Sequence, residues 1–166
     1  MSMSNSFVKS DCLICERIGL IKEGKNPYFV AELETGYVVL ADQQLYRGYT
    51  IFLAKQHKIE LHELDKETRR LFLDEMSHVA ESLYKAFKPR KLNYELLGNR
   101  DPHLHWHLIP RYASDKDPTR PIWATMYARR DLETKIPTEE TLIELKRQVL
   151  LHLSKVARII TTYESS

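Results

Sequence analysis

His103-Leu104-His105-Trp106-His107-Leu108-Ile109 puts a histidine at every second position of an apolar run. Side chains alternate along an extended strand, so the three imidazoles share one face. Leu104, Trp106 and Leu108 then point the other way, into a core. Neighbouring imidazole Cβ atoms stand ~6–7 Å apart, a spacing that lets ring nitrogens address one phosphate or one metal. A half-buried strand that merely exposes histidines is the plainer alternative, although Thr, Lys or Glu are commoner at such positions. Pro102 and Pro110 bracket the run to a usual strand length.

The flanks supply the remaining elements. Residues 92–97 read as a strand, and Gly98-Asn99-Arg100-Asp101-Pro102 as a tight connection into the histidines. Before them, Phe72, Met76, Val79, Leu83 and Phe87 form one apolar stripe at helical spacing, with Asp65 as N-cap and Pro89 as stop. Residues 28–33, 37–41 and 49–54 read as strands, joined by a turn at 34–36 and a loop at 42–48. Asp11 can cap a short helix that begins near Cys12 and ends at Gly19 or Gly24, with Pro27 closing the segment. A polar loop fills 112–121, and a last helix starts near Thr138 and buries Leu142, Leu145, Val149, Leu153 and Val156. These elements predict an α+β fold: an antiparallel five-stranded sheet, a long helix packed on it and a C-terminal helical extension. One helical crossover is too few for a parallel doubly wound sheet.

At 166 residues the chain is expected to be a single domain, with 11–112 as its core and 113–166 as a loop and helix. A net charge of +2 gives no reason to expect a nucleic-acid partner. No run approaches 18 apolar residues, so no membrane association is expected. Residues 1–6 are polar and read as a frayed tail without a signal-peptide core. Two cysteines, Cys12 and Cys15, are too close and too few for a disulfide framework, which suits a cytoplasmic setting.

Cys12-x-x-Cys15 supplies half of a tetrahedral zinc site. Two other readings compete: buried packing thiols, or a redox pair that lacks the strand such a motif needs before it. Asp42 and Asn99, on position alone, are turn residues as readily as ligand contacts. Arg111, Arg120, Arg129 and Arg130 make the segment after the triad basic: a solvated face, or a contact for polyphosphate or a partner subunit. Trp123 either covers the site or anchors the tail, and His62, His78 and His152 fit surface positions.

The histidine run resembles the signature of the histidine triad (HIT) family of nucleotide hydrolases and transferases. The likeness continues in order through Cys12-Leu13-Ile14-Cys15, the stretch from Leu40-Ala41-Asp42 to Gly48, Ile51-Phe52-Leu53-Ala54-Lys55-Gln56-His57, Gly98-Asn99, and Pro110-Arg111. Ala54 and Tyr49 depart from the residues common there. Arg100 takes a place usually held by a phosphate-bonding Ser or Thr, and the connection between Asn93 and Asn99 is one residue short.

The resemblance implies a chemistry. A neutral imidazole is nucleophilic near pH 7. His105 would attack the α-phosphorus of a nucleotide and carry the nucleotide as a covalent intermediate until water or an acceptor removes it. His107 and Asn99 would donate to the nonbridging oxygens, and His103 or His107 would protonate the leaving group. Asp42 would accept the ribose hydroxyls and Leu40 would help sandwich the base, with Asn93 and Arg100 lining the nucleotide pocket. The implied zinc ligands are Cys12, Cys15, His57 and His103; zinc would be structural, and catalysis needs no metal. The implied partners are a nucleotide (a phosphoramidate, a dinucleoside polyphosphate or a similar conjugate) and a second copy in a homodimer. A nucleotide- or zinc-binding module with little turnover is the second reading. A three-histidine metalloenzyme is weaker, because ~13 Å separates the outer Cβ atoms.

Overall fold

A computed structural model of the chain describes residues 11–126 and 135–165. The polar start at 1–6, Arg129 and Arg130 lie outside the described residues. In chain order the elements are α1 (Leu13–Lys22), β1 (Phe29–Glu32), β2 (Gly36–Leu40), β3 (Thr50–Ala54), a 3-10 turn (Leu61–Glu63), α2 (Lys66–Phe87), β4 (Lys91–Glu95), β5 (His105–Arg111), α3 (Ile122–Met126), α4 (Glu139–Leu153) and β6 (Thr161–Thr162). The sheet is antiparallel, in the order β4-β5-β3-β2-β1-β6.

α2 forms as its sequence dictates. The Asp65 side chain accepts from the amides of Glu67 and Thr68 at 3.1 and 3.0 Å, a cap worth ~1 kcal/mol. At the other end Lys88 turns left-handed at φ 48°, and Pro89 blocks continuation. Phe72, Val79 and Leu83 are fully buried against the sheet, each contributing ~1.5–3 kcal/mol. Buried Glu75 interrupts the apolar face. Its carboxylate accepts the amides of Glu34 and Thr35 at 2.8 and 2.9 Å and pins the β1–β2 turn to the helix. Gly48 is required where it stands: φ is 84°, and a Cβ there would lie 2.4 Å from the Phe87 ring.

The sheet is covered on both faces. Val38, Leu40, Phe52, Leu104 and Leu108 pack with α2 and α4 in one core. Tyr37, Val39 and Leu53 pack with Ile14, Ile18 and Ile21 of α1 in another. Across strands Val39 pairs with Ile51 and Ile51 with His107, so His105 and His107 lie on the α1 side. Leu104 and Leu108 point away from them, as the alternation predicts.

Several expectations are corrected. The sheet has six strands, not five: β6 pairs with β1, and two threonines are too short a stretch to show a period. The histidine strand begins at His105, and Pro110 lies within it. β3 pairs with β5 only as far as Leu108, so at Pro110 only β4 is a neighbour and the missing amide hydrogen costs no ladder bond. The preceding strand ends at Glu95, and Leu97 is 51% exposed ahead of left-handed Gly98. Val156 falls beyond the end of α4 and is half-buried, whereas Leu142, Leu145, Val149 and Leu153 are buried as expected. Among the described residues no helix is long and apolar enough to cross a membrane.

Candidate active site

His105 is 5% exposed, and its Nδ1 lies 2.6 Å from the carbonyl oxygen of His103. A carbonyl can only accept, so Nδ1 carries the proton and the lone pair of the neutral ring is on Nε2. The backbone therefore sets the tautomer that a nucleophile needs. The rings of His105 and His107 meet edge to face with centroids 4.7 Å apart.

His107 sits in a shell drawn from three further elements. The Tyr49 hydroxyl, just before β3, is 2.7 Å from its Nδ1. Trp123 of α3 meets its ring edge-on at 5.3 Å, and Glu95 of β4 is its cross-strand partner. The Trp123 indole donates to the Glu95 carboxylate. Burial, helped by nearby His105, lowers the His107 pKa to about 4. Burial first, then the charge of Glu95, raises that of Tyr49, which stays a neutral hydroxyl. His107 is thus a neutral imidazole with one proton at pH 7.

The wall that carries Trp123 is organised by Arg111, 4% exposed. Its guanidinium donates to Asp115 at 3.0 Å, to Asn93 at 3.0 Å, and to the carbonyls of Arg120 and Asp117 at 2.7 and 2.8 Å. It also stacks 5.0 Å from the Tyr46 ring centroid. Five donors in a fixed fork suit such a task, and an ammonium would not reach all of these acceptors. The polar 112–121 segment is in this way folded back so that α3 rests on the histidine face, with Ile122 fully buried beneath it.

His103 belongs to a different cluster. It precedes β5 and is 1% exposed, with Nε2 2.8 Å from the Ala54 carbonyl oxygen. Its Nδ1 therefore bears the lone pair, and that atom is 3.5 Å from both Cys12 Sγ and Cys15 Sγ. His57 Nδ1 lies 3.2 Å from Cys15 Sγ. The four ligand atoms all fall within 4.8 Å of one another. Bond lengths of ~2.3 Å to sulfur and ~2.0 Å to nitrogen put tetrahedral ligands ~3.3–3.8 Å apart, so this Cys2His2 set fits zinc. Both cysteines are thiols outside any disulfide. Burial lowers the pKa of His103, which keeps the ring neutral as a ligand must be.

The remaining expected residues are scattered. Asp42, just past the end of β2, accepts both arms of the Arg17 guanidinium at 2.5 and 2.6 Å. Leu40 is a correction: alternation along β2 turns it into the α2 core at 1% exposure, away from the histidines. Val39 and Ile51 occupy the face it was expected to serve. Asn93 lies on the histidine face but is engaged by Arg111. Asn99 and Arg100 are exposed on the connection into β5. Sequence reading missed Arg17, Tyr49 and Glu95 as site residues. Tyr49 was a departure from the family pattern, which was the available signal; Arg17 and Glu95 gave none beyond being charges beside apolar residues.

The antiparallel α+β sheet carries two touching imidazoles on one face, and the carbonyl of His103 fixes the lone pair of one of them on Nε2. The chain belongs to the HIT family: the HIT domain profile matches residues 24–114, more than half of its length. The matched region holds the histidine strand and His57 but not the two cysteines. "Protein hit" of Bacillus subtilis (strain 168) is 28% identical over 121 residues, 69% of this chain and 80% of that protein. Adenosine 5'-monophosphoramidase HNT1 of Saccharomyces cerevisiae is 28% identical over 107 residues, 60% of this chain. That match spans 62% of the yeast protein, less than two thirds of its length. Among solved structures, a histidine triad protein from Marinobacter aquaeolei VT8 superposes with a TM-score of 0.67 at 27% identity, over 78% of this chain and 90% of that one.

Proposed function

We propose that this protein is a nucleotidyl hydrolase or transferase that cleaves at the α-phosphate of a nucleoside phosphoramidate, a dinucleoside polyphosphate or a similar conjugate. The observation that carries the reading is the His105 Nδ1 bond to the His103 carbonyl, because it leaves Nε2 as the nucleophilic atom. Nε2 attacks the α-phosphorus, a P–N bond forms, and the bond to the leaving group breaks. The ring never has to shed a proton, since Nδ1–H stays on the carbonyl and offsets the positive charge of the nucleotidyl-imidazolium.

The neutral Tyr49 hydroxyl lies 2.7 Å from His107 Nδ1; donating there, it would leave the ring proton on Nε2, facing the site. From there the ring donates a hydrogen bond to a nonbridging oxygen; a neutral ring keeps its only proton, so the leaving amine or phosphate is protonated by solvent. His103 is engaged at both nitrogens and supplies no proton either. Asn99 supplies a second donor to the nonbridging oxygens. In the second half-reaction water bonds to phosphorus, gives up a proton to solvent, and expels His105 as a neutral imidazole. The name of the yeast relative, a monophosphoramidase, supports an amine as one leaving group.

Cys12, Cys15, His57 and His103 would hold zinc as a structural ion. It would tie the start of α1 to the segment entering β5, and no chemical step passes through it. A homodimer is part of the proposal and rests on the family likeness.

The test is a trapping experiment. Protein is mixed with adenosine 5'-phosphoramidate or diadenosine triphosphate, quenched at neutral to alkaline pH, and weighed intact. The expected result is one adenylyl group on the wild type and none on His105→Asn or His105→Ala. Tight nucleotide binding without adduct or turnover would favour the binding-module reading.

A further inference from the structure

Glu95 stands directly across from His107 on the neighbouring strand, so their Cβ atoms are ~5 Å apart on one face. Among the described residues its carboxylate meets no cation. Its neighbours are neutral: the Trp123 indole, whose N–H it accepts, the Tyr49 hydroxyl and the His107 imidazole. We propose that Glu95 is a specificity-determining residue that selects a leaving amine carrying a second, positively charged group, such as an alkylammonium, over a polyphosphate. The inference deepens the function proposed above, rests on it, and divides the conjugates named there.

A nucleotide brings negative phosphate oxygens to the histidine face, and a carboxylate beside them repels that charge. At this range, with solvent screening only part of the field, a like charge weakens binding by roughly tenfold or more. Each phosphate added to the leaving group adds to the cost, whereas an ammonium there reverses its sign. The bond to Trp123 does not by itself call for a charge, because a neutral amide oxygen would accept the indole N–H as well. The basic side chains close by are engaged elsewhere or solvated. Lys91 lies four residues along β4, ~13 Å away, bonded to the Leu92 carbonyl and placed over the Tyr94 ring. Arg111 pairs with Asp115 and holds three further acceptors, and Arg120 is exposed.

Strand order puts Glu95 on the side of the leaving group. β5 lies between β3 and β4, so a phosphorus atom at His105 has one neighbouring strand on each side. Toward β3 and β2 the histidine face continues into Ile51 and Val39, an apolar shelf suited to a nucleobase. Toward β4 it continues into Glu95 and Asn93, which suit a polar substituent. A cavity of about 500 Å³ opens there between β4 and the 118–121 segment, with Glu95, Asn93 and Tyr94 in its wall, and it has room for a small organic group. The ammonium that Glu95 would receive is not the reacting nitrogen. The P–N bond breaks with its electrons going to that nitrogen, solvent protonates it, and the distal ammonium keeps its charge throughout.

The experiment compares kcat/KM for three substrates: the adenosine 5'-phosphoramidates of 1,4-diaminobutane and of pentylamine, and diadenosine triphosphate. The two phosphoramidates match in length and differ by one charge. The wild type should favour the diaminobutane compound over the pentylamine compound by roughly tenfold, and diadenosine triphosphate should be the slowest. The preference should shrink severalfold at ~0.5 M salt, where the screening length is ~4 Å. Glu95→Gln removes the charge and keeps an acceptor for Trp123. In that variant the ratio between the two phosphoramidates should fall to near one, and diadenosine triphosphate should gain roughly tenfold relative to the diaminobutane compound. A ratio measured within one protein does not move with a merely structural defect, and the salt series on the wild type serves if the variant does not fold. Equal kcat/KM for the two phosphoramidates in the wild type, or a preference that Glu95→Gln leaves intact, would overturn the selection and leave nucleotidyl transfer standing. So would a wild type that prefers diadenosine triphosphate. A wild type that turns over none of the three would bring down the proposed function and this inference together.

Discussion

Replacing Trp123 by alanine should make His107 easier to protonate. His107 is held neutral by burial first and by the neighbouring imidazole of His105 second, which brings its pKa from 6.5 down to about 4. That displacement corresponds to ~3 kcal/mol of preference for the neutral ring, at ~1.4 kcal/mol per pH unit. The sign follows from proton binding. Between pH ~6.5 and 4 the unfolded chain takes up a proton at this site and the folded chain does not. The contribution to stability is therefore complete above ~6.5 and is lost as pH falls through about 4. The groups facing His107 are His105 on its own strand, the neutral Tyr49 hydroxyl just before β3, Glu95 on β4 and Trp123 on α3. Removing the indole does two things: it wets the ring, and it frees the Glu95 carboxylate that the indole N–H now engages. Both favour the imidazolium, so the His107 midpoint should rise by ~1 pH unit or more. Long-range proton–nitrogen correlation spectra across pH 3.5–8 read the ring directly, and urea unfolding over the same range reads the linked stability. A wild-type midpoint at 6 or above, or one that Trp123→Ala leaves where it was, would refute the argument.

Two further outcomes follow from buried groups that hold the periphery of the site. Arg111→Met strands the Asp115 carboxylate, the Asn93 side chain and two backbone carbonyls, so the protein should lose ~3–5 kcal/mol in urea unfolding. In a Trp106→Phe background the Trp123 emission should also shift to the red; a loss under ~1 kcal/mol with an unchanged spectrum would count against Arg111 as the organiser of this wall. For the Cys2His2 cluster, elemental analysis should find one zinc per chain in the wild type and none in Cys12→Ser. Chelation should lower the thermal midpoint, the effect being ~2.7 kcal/mol at free zinc 100 times the dissociation constant. Protein that purifies without metal and ignores added zinc would rule the site out.

The local signals in this chain were strong where one period ran uninterrupted. The stripe from Phe72 to Phe87, with its Asp65 cap and Pro89 stop, specifies α2 through side-chain spacing and two terminal residues. Alternation from Leu104 to Leu108 likewise settles that the histidines and the apolar residues part company across the sheet. Periodicity assigns residues to two faces but does not say which partner covers each one. Leu40 shows the consequence: its alternation was legible, yet only the packing of α2 and α4 against that face makes it core instead of pocket. Tyr49, Glu95 and Trp123 meet at His107 from three separate elements, and the Arg17–Asp42 and Cys15–His57 contacts bridge 25 and 42 residues. Such meetings depend on strand order and on where a loop such as 112–121 folds back, which Arg111 decides through contacts distant in sequence. The amino-acid order alone thus determined helices α1, α2 and α4, the apolar and imidazole faces and the place of His105 on the latter. Tertiary structure decided which groups surround it, because those contacts are made by chain closure and not by any local repeat.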